Sequence, residues 1–492
     1  LEQFANSTIE PSFSETPEAY FHWEIEFPEV FFDEHGELIP GGGFDAIVGN
    51  PPYVRNQEVQ PEVAAWCRNK YRTAFRRFDL YVVFIERGLD LLKSGGQLGF
   101  IVPNKFMKLD FGERLRQLLS ERSAVREIVD FGDIQVFDGG VNYTCILSLV
   151  SSRIESIKYV RLPSQDHTPL PAEIDRAKSE RFDASTLSGD PWILLSTSER
   201  TVWNQIHDGA DSLDSCTKEI LQGLITGADQ IFIVEDKGQA PEGRRVYSHA
   251  SECELMLEPE LLHPLSSGPD VDRWAMKPLT NLLLFPYREE EGTMRLLSPN
   301  ELQEYPLAAQ YLHAHHETLA ARANGPTQDD DWYRFVRPRV WDLHNSPKLG
   351  VAATVTNLEV APDAPGGMFF HNVRVHGILP SEDGPDLWTL LALLNSRTLD
   401  WVFRRSAAEL ANGHFQANRQ FIAPLPIKLP TTDQAEVLGT LGREIHHATV
   451  AVNTEKSEFK AWLESQLQVD LSMLRRHTHL DRYPDLGLNG IL

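Results

Sequence analysis

Cysteine is scarce in this chain: four residues in 492, Cys67, Cys145, Cys216 and Cys253, none of them in a CxxC pair. Such spacing excludes a disulfide scaffold and a zinc knuckle, and it fits a reducing compartment, so a cytoplasmic location is expected. No run of eighteen apolar residues occurs, which speaks against a transmembrane helix. The opening LEQFANSTIE lacks the charged-then-apolar order of a signal peptide. It also lacks a starting Met, so further residues are expected upstream. His446, His447, His477 and His479 stand at no metal-ligand spacing to Cys or acidic partners; they read as helix-surface residues, and no metal site is expected. Cations are short as well: 46 Lys and Arg against 71 Asp and Glu leave a net charge of −25. A balance of that sign is unusual for a protein that neutralises phosphates.

What is present is locally uneven. Residues 68–78, RNKYRTAFRRF, hold five cations (Arg68, Lys70, Arg72, Arg76, Arg77), three aromatics and no acid. Arg334, Arg337 and Arg339 form a second cluster, and Arg404 and Arg405 follow an apolar helix pattern. These patches can meet a polyanion while the acidic remainder faces solvent. Apolar content of 41% and charged content of 24% are those of a globular protein, and the length calls for two or three domains.

The first organised element is 44–48, FDAIV, whose length and branching predict a buried parallel strand. It runs into Gly49-Asn50-Pro51-Pro52-Tyr53, where two prolines forbid continuation as strand or helix. The loop therefore sits at a strand's carboxyl end, the ligand-binding edge of an open α/β sheet. A helix is expected over 79–92, a strand over 97–102, a helix over 110–121, and strands over 125–131 and 143–150, the last two as an antiparallel pair. Residues 151–215 lose this regularity. Beyond them come short strands with Pro and Gly turns, one clear helix at 387–403, and a helical stretch from 431 to about 480.

Asn50-Pro51-Pro52-Tyr53 carries the chemistry. The exocyclic amine of adenine is a poor nucleophile because its lone pair is delocalised into the ring. Acceptors on both amine hydrogens draw density onto nitrogen, and the Asn50 side-chain oxygen with the Pro51 carbonyl can supply that pair in a preorganised loop. Tyr53 can stack on a base that has left the duplex. The same four residues are also compatible with a plain turn after a strand.

FHWEIEFPEVF (21–31), GGFDAIVGNPPYV and FDLYVVFIERGLDLLKSGGQLGFIVPNKFM together resemble the methylase core of type IIG restriction–modification enzymes, gamma-class adenine-N6 DNA methyltransferases. The resemblance implies catalysis by Asn50, Pro51, Pro52 and Tyr53. It makes Phe137 the aromatic residue that packs on the flipped adenine, against the alternative of a core phenylalanine. It places Asp79 and Tyr81 on the cofactor side of the pocket, although Asp79 also suits a helix N-cap. Further on, QGLITGADQIFIV (222–234), Trp332-Tyr333 with RPR, LLALLNSRTLDWVF and APLPI (423–427) resemble landmarks of the family's target-recognition domain.

Two family features are missing. The 43 residues before Phe44 contain no glycine-rich strand-to-helix turn for S-adenosylmethionine, and no PD-ExK set for cleavage is found. The expected fold class is α/β: the C-terminal half of a Rossmann-like methyltransferase sheet, then a mixed α+β target-recognition domain and terminal helices. The expected domains are 1–155 (partial catalytic), 156–215 (connector), 216–430 (target recognition) and 431–492 (helical). The expected function is S-adenosylmethionine-dependent adenine methylation of double-stranded DNA, with an upstream methyltransferase half or nuclease supplied in cis or in trans. The alternatives are a non-catalytic DNA-recognition fragment, or a methyltransferase acting on RNA or on protein glutamine.

Overall fold

The structure, a computed structural model, describes residues 21–132, 134–137, 143–163, 171–290, 293–322, 331–337, 345–410 and 413–468. The chain divides into two units: Leu1–Trp203 with Arg405–Phe415, and Asn204–Arg404 with Gln416–Leu492.

The first unit is built on a six-stranded sheet. Its strands are β1 (Phe44–Gly49), β2 (Leu92–Pro103), β3 (Val125–Asp130), β4 (Thr144–Val150), β5 (Ser156–Arg161) and β6 (Ser179–Asp183), in the order β1-β2-β4-β3-β5-β6. β1 is parallel to β2 and β3 is parallel to β5, while the remaining neighbours are antiparallel. The expected antiparallel pairing of β3 with β4 is therefore present. Residues 156–183, within the expected connector, supply two further strands to this sheet, signalled by the alternation of SIKYVR.

Helices α1 (Pro61–Lys70), α2 (Tyr81–Asp90) and α3 (Glu113–Arg122) join these strands. α2 buries Tyr81, Val82, Ile85 and Leu89 in a core shared with Leu98 and Phe100 of β2. Gly88 permits the close approach, since a Cβ there would collide with the Leu98 side chain. Each large apolar side chain fully buried here contributes roughly 1.5–3 kcal/mol over leaving it in water.

β1 corrects one expectation. It is parallel, but it lies at the edge of the sheet among the described residues and is not buried: Val48 is 84% exposed. Its sequence suits a central strand, yet burial depends on neighbours, and among the described residues β2 is the one strand paired with it.

The second unit holds a six-stranded sheet ordered Cys253–Leu257, Gly243–Ser248, Ile233–Ala240, Asn281–Leu284, Leu262–Ser266, Phe369–Phe370. A four-stranded sheet follows the order Val360–Asp363, Lys348–Ala352, Val375–Pro380, Thr217–Gln222. The helix expected over 387–403 is two helices, Leu387–Leu394 and Arg397–Ser406. Asn395 interrupts it: buried, its amide exchanges two hydrogen bonds with the backbone of Val360, at 3.0 and 2.9 Å. Thr432–Leu467 forms one 36-residue helix opened by a capping box of Thr431 and Gln434, and 469–480 lie outside the described residues. No helix among the described residues is long and apolar enough to cross a membrane.

Candidate active site

β1 ends at Gly49, and the chain leaves the sheet through Asn50, which is exposed, Pro51, which is buried, Pro52, exposed, and Tyr53, half-buried. The rigidity of the two proline rings is reinforced on the far side. Val54 O accepts from Leu80 N at 2.8 Å, Phe78 O accepts from Asn56 N at 2.9 Å, and Arg55 forms a backbone bridge with Asp79. The loop is thus strapped to the segment that leads into α2.

Tyr53 is anchored at its tip. Its hydroxyl donates to Ile101 O of β2 at 2.9 Å, and burial pushes its pKa up to about 12, so it remains a neutral donor. Its ring meets those of Tyr81 and Phe137 edge-on, each at 6.4 Å between centroids. Phe137 keeps 38% of its surface exposed and does not sit in the core. An exposed amide, a buried proline and two aromatic rings therefore surround one end of β1.

The residues expected on the cofactor side are both buried. Asp79 is 4% exposed and pairs with the Lys105 ammonium at 2.5 Å, while Tyr81 is fully buried, with its hydroxyl driven well above the usual tyrosine range by desolvation. Both form the wall behind Tyr53 and present no polar edge to solvent. Asp79 is not an N-cap either: Leu80 holds that position and no side chain caps the helix. No group of three or more His, Cys, Asp or Glu residues among the described ones could hold a metal.

The cationic segment is partly spent on internal pairing. Arg72 lies 2.8 Å from Glu121 and Arg76 3.1 Å from Asp110, while Arg68 stacks over Phe78. Lys70 and Arg77 are exposed. In the second unit Arg334 pairs with Asp331 at 3.6 Å, and Arg337 is exposed with its backbone bridged to Ile225. Arg339 lies outside the described residues. Trp332 and Tyr333, by contrast, are buried core residues of their unit.

Sequence reasoning missed three polar residues at this end of the sheet: Asn104 and Lys105, directly after β2, and Asp130, the last residue of β3. Each closes an apolar strand pattern at its carboxyl end, which is the signal that marks them. Asp130 and Asn104 are joined by a 2.9 Å hydrogen bond.

Residues 2–137 match the Eco57I restriction-modification methylase family. Over 474 residues the chain is 25% identical to the type II restriction enzyme and methyltransferase RM.Eco57I of Escherichia coli, covering 90% of this chain and 46% of that protein. It is also 25% identical over 422 residues to the type II methyltransferase M.BstVI of Geobacillus stearothermophilus, covering 80% of this chain and 70% of the relative. The chain thus spans about half the length of the first of these relatives. Among solved structures, the type IIL restriction-modification enzyme MmeI in complex with DNA superposes with a TM-score of 0.58 at 14% identity, covering 82% of this chain and 49% of that one. At that identity the likeness extends to the fold alone. Residues 2–137 therefore match the Eco57I restriction-modification methylase family, and over most of its length the chain is similar to type II restriction-modification methyltransferases.

Proposed function

We propose that this chain carries the amine-activating loop and the DNA-reading part of an adenine-N6 DNA methyltransferase of a restriction–modification system. The observation that carries the reading is the exposed Asn50 amide on a loop whose next residue is a buried proline and whose Tyr53 is fastened to Ile101. In this reading the Asn50 Oδ1 and the Pro51 carbonyl accept hydrogen bonds from the two hydrogens of an extruded adenine's amine, one of which leaves to solvent as a proton once the methyl has passed from sulfonium sulfur to nitrogen. The nitrogen lone pair is then directed away from the ring, toward an incoming methyl. Because the loop is already held, little reorganisation is needed when charge develops on nitrogen. Tyr53 and Phe137 supply aromatic surfaces for the base.

S-adenosylmethionine supplies the electrophilic methyl in this chemistry. Asp79 and Tyr81 are buried, and the Tyr81 hydroxyl has no hydrogen-bond partner among the described residues; no step is assigned to either residue. The methyl-donor contacts are assigned to a partner segment, supplied in cis or in trans, that would lie along the edge of β1 that no described strand covers. That edge suits such a role. A cavity of about 570 Å³ opens beside it, walled by Trp23, Phe44, Ile47, Val48, Trp66 and Phe84. An apolar parallel strand with one open side is ordinarily covered in α/β proteins. A nuclease, in cis or in trans, belongs to the same proposal only as a further partner.

The test is transfer of labelled methyl from S-adenosylmethionine by the full-length protein to double-stranded DNA, RNA and protein in parallel. Label in DNA as N6-methyladenine, lost with Asn50→Ala, is the expected result. Label confined to RNA or protein, or none at all, overturns the proposal. For the chain by itself, a DNA-recognition role without methyl-donor binding is the second reading, motivated by the buried state of Asp79 and Tyr81; calorimetric titration with S-adenosylmethionine decides it.

A further inference from the structure

The carboxylate of Asp130, 2% exposed, gathers four donors at the carboxyl ends of the central strands. One oxygen accepts from Asn104 Nδ2 at 2.9 Å and from Gly132 N at 3.1 Å. The other accepts from the Tyr159 hydroxyl at 3.0 Å and from Arg161 Nη1 at 3.5 Å. Arg161 in turn pairs with Glu409 at 2.6 Å, so the carboxylate's countercharge is itself held in place.

These contacts join two pieces of backbone. Asn104 is the first residue after β2, the strand whose Ile101 carbonyl fastens Tyr53. Gly132 begins the loop that carries Phe137, and its φ of +58° is a conformation that glycine adopts without strain. A buried carboxylate with this many donors is a rigid joint, since each bond to a charged acceptor is worth more than a neutral one. Tyr53, on the loop after β1, is fastened to the first piece at Ile101, and its edge-on contact with Phe137 reaches the second.

We propose that Asp130 is a positioning residue that sets the Phe137 loop against Tyr53 by clamping the ends of β2 and β3 through Asn104 and Gly132. The consequence for catalysis rests on the proposed methyltransferase reading; the clamp itself does not. Asp130 touches neither base nor methyl donor in this scheme. It acts through the distance and angle between two aromatic rings, and a misplacement on the order of 1 Å at such a site can reduce turnover about a hundredfold.

Two readouts on the full-length protein test this, with Asp130→Asn and Asn104→Ala as variants. Asn104→Ala removes one donor from outside the carboxylate, and it serves as the deciding variant should Asp130→Asn fail to fold. The first readout is fluorine NMR of fluorophenylalanine placed at position 137, without DNA. The expected result is a resonance that shifts or broadens in each folded variant; an unchanged resonance in folded Asn104→Ala overturns the proposal. The second is methylation kinetics: the expected result is a kcat lowered about ten- to a hundredfold with KM for DNA within about twofold. A kcat equal to that of the unmodified protein overturns it. If the unmodified protein methylates no adenine, the functional reading falls, and the fluorine spectra still decide whether Asp130 holds the loop.

Discussion

The Lys105 ammonium lies 2.5 Å from the Asp79 carboxylate, tying the turn after β2 to the entry of α2 directly behind the Asn50–Tyr53 loop. Asp79 is almost wholly buried and Lys105 about one-third exposed, so the pair is asymmetric. Removing Lys105 leaves a buried carboxylate without its partner, which ordinarily costs about 3–5 kcal/mol. The partial exposure of Lys105 places the expected loss for Lys105→Met near the lower end, about 3 kcal/mol. Urea unfolding of the single variant and of the double variant Asp79→Asn/Lys105→Met measures it. The double variant is expected to regain most of the loss; a single variant as stable as the unmodified protein contradicts the pairing.

β1 makes a second prediction. Val48 is 84% exposed on a strand whose outer edge no described strand covers, so Val48→Asp changes the stability of the described unit by no more than about 0.5 kcal/mol. If the methyl-donor half docks on that edge, the same change weakens S-adenosylmethionine binding by the full-length protein at least about tenfold. Calorimetry that finds equal affinity in the two proteins removes the edge from the account.

His376 predicts a pH dependence in the second unit. The imidazole is 1% exposed, its Nδ1 meets no hydrogen-bond partner among the described residues, and burial pulls its pKa down to about 4. The unfolded value is near 6.5, so between these values the unfolded chain binds the proton and the folded chain does not. The associated stability is complete above pH ~6.5 and is lost as pH falls toward 4, by up to about 3 kcal/mol. Unfolding midpoints compared at pH 7 and pH 5 are expected to fall further for the unmodified protein than for His376→Leu. Identical slopes for the two contradict it.

The basic segment separates into paired and unpaired roles. Arg72 is held by Glu121, whereas Arg77 is exposed. A phosphate contact contributes about one unit to the salt dependence of DNA binding. Arg77→Gln is expected to lower that slope by about one and Arg72→Gln by clearly less. Titrations across a range of salt concentrations check this, and equal drops would mean that the Glu121 pairing does not persist on DNA.

Legibility in the sequence followed the range of the forces involved. Asn50–Tyr53 is contiguous, and its placement after an apolar run could be read directly, as could the alternation of strands and helices from Phe44 to Val150. The exposure of Val48 could not, because a strand's own residues do not say whether a second neighbour is present. The break at Asn395 was hidden for a similar reason: its two bonds go to Val360, 35 residues away, and local helix periodicity outvotes one asparagine. The Asp130 joint collects Asn104, Gly132, Tyr159 and Arg161 from the ends of two other strands and one loop, a meeting that only the sheet order brings about. The motif therefore marked the candidate site, and its supports became visible with the topology.

The central claim concerns Asn50, and single-turnover methyl transfer to duplex DNA tests it most directly. Asn50 is exposed, so Asn50→Ala is expected to leave the unfolding transition unchanged. It is expected to slow formation of N6-methyladenine by about two to three orders of magnitude, the usual loss for one preorganised polar contact to developing charge. An Asn50→Ala protein that methylates adenine at the unmodified rate, or an unmodified protein whose product is not N6-methyladenine, contradicts the account.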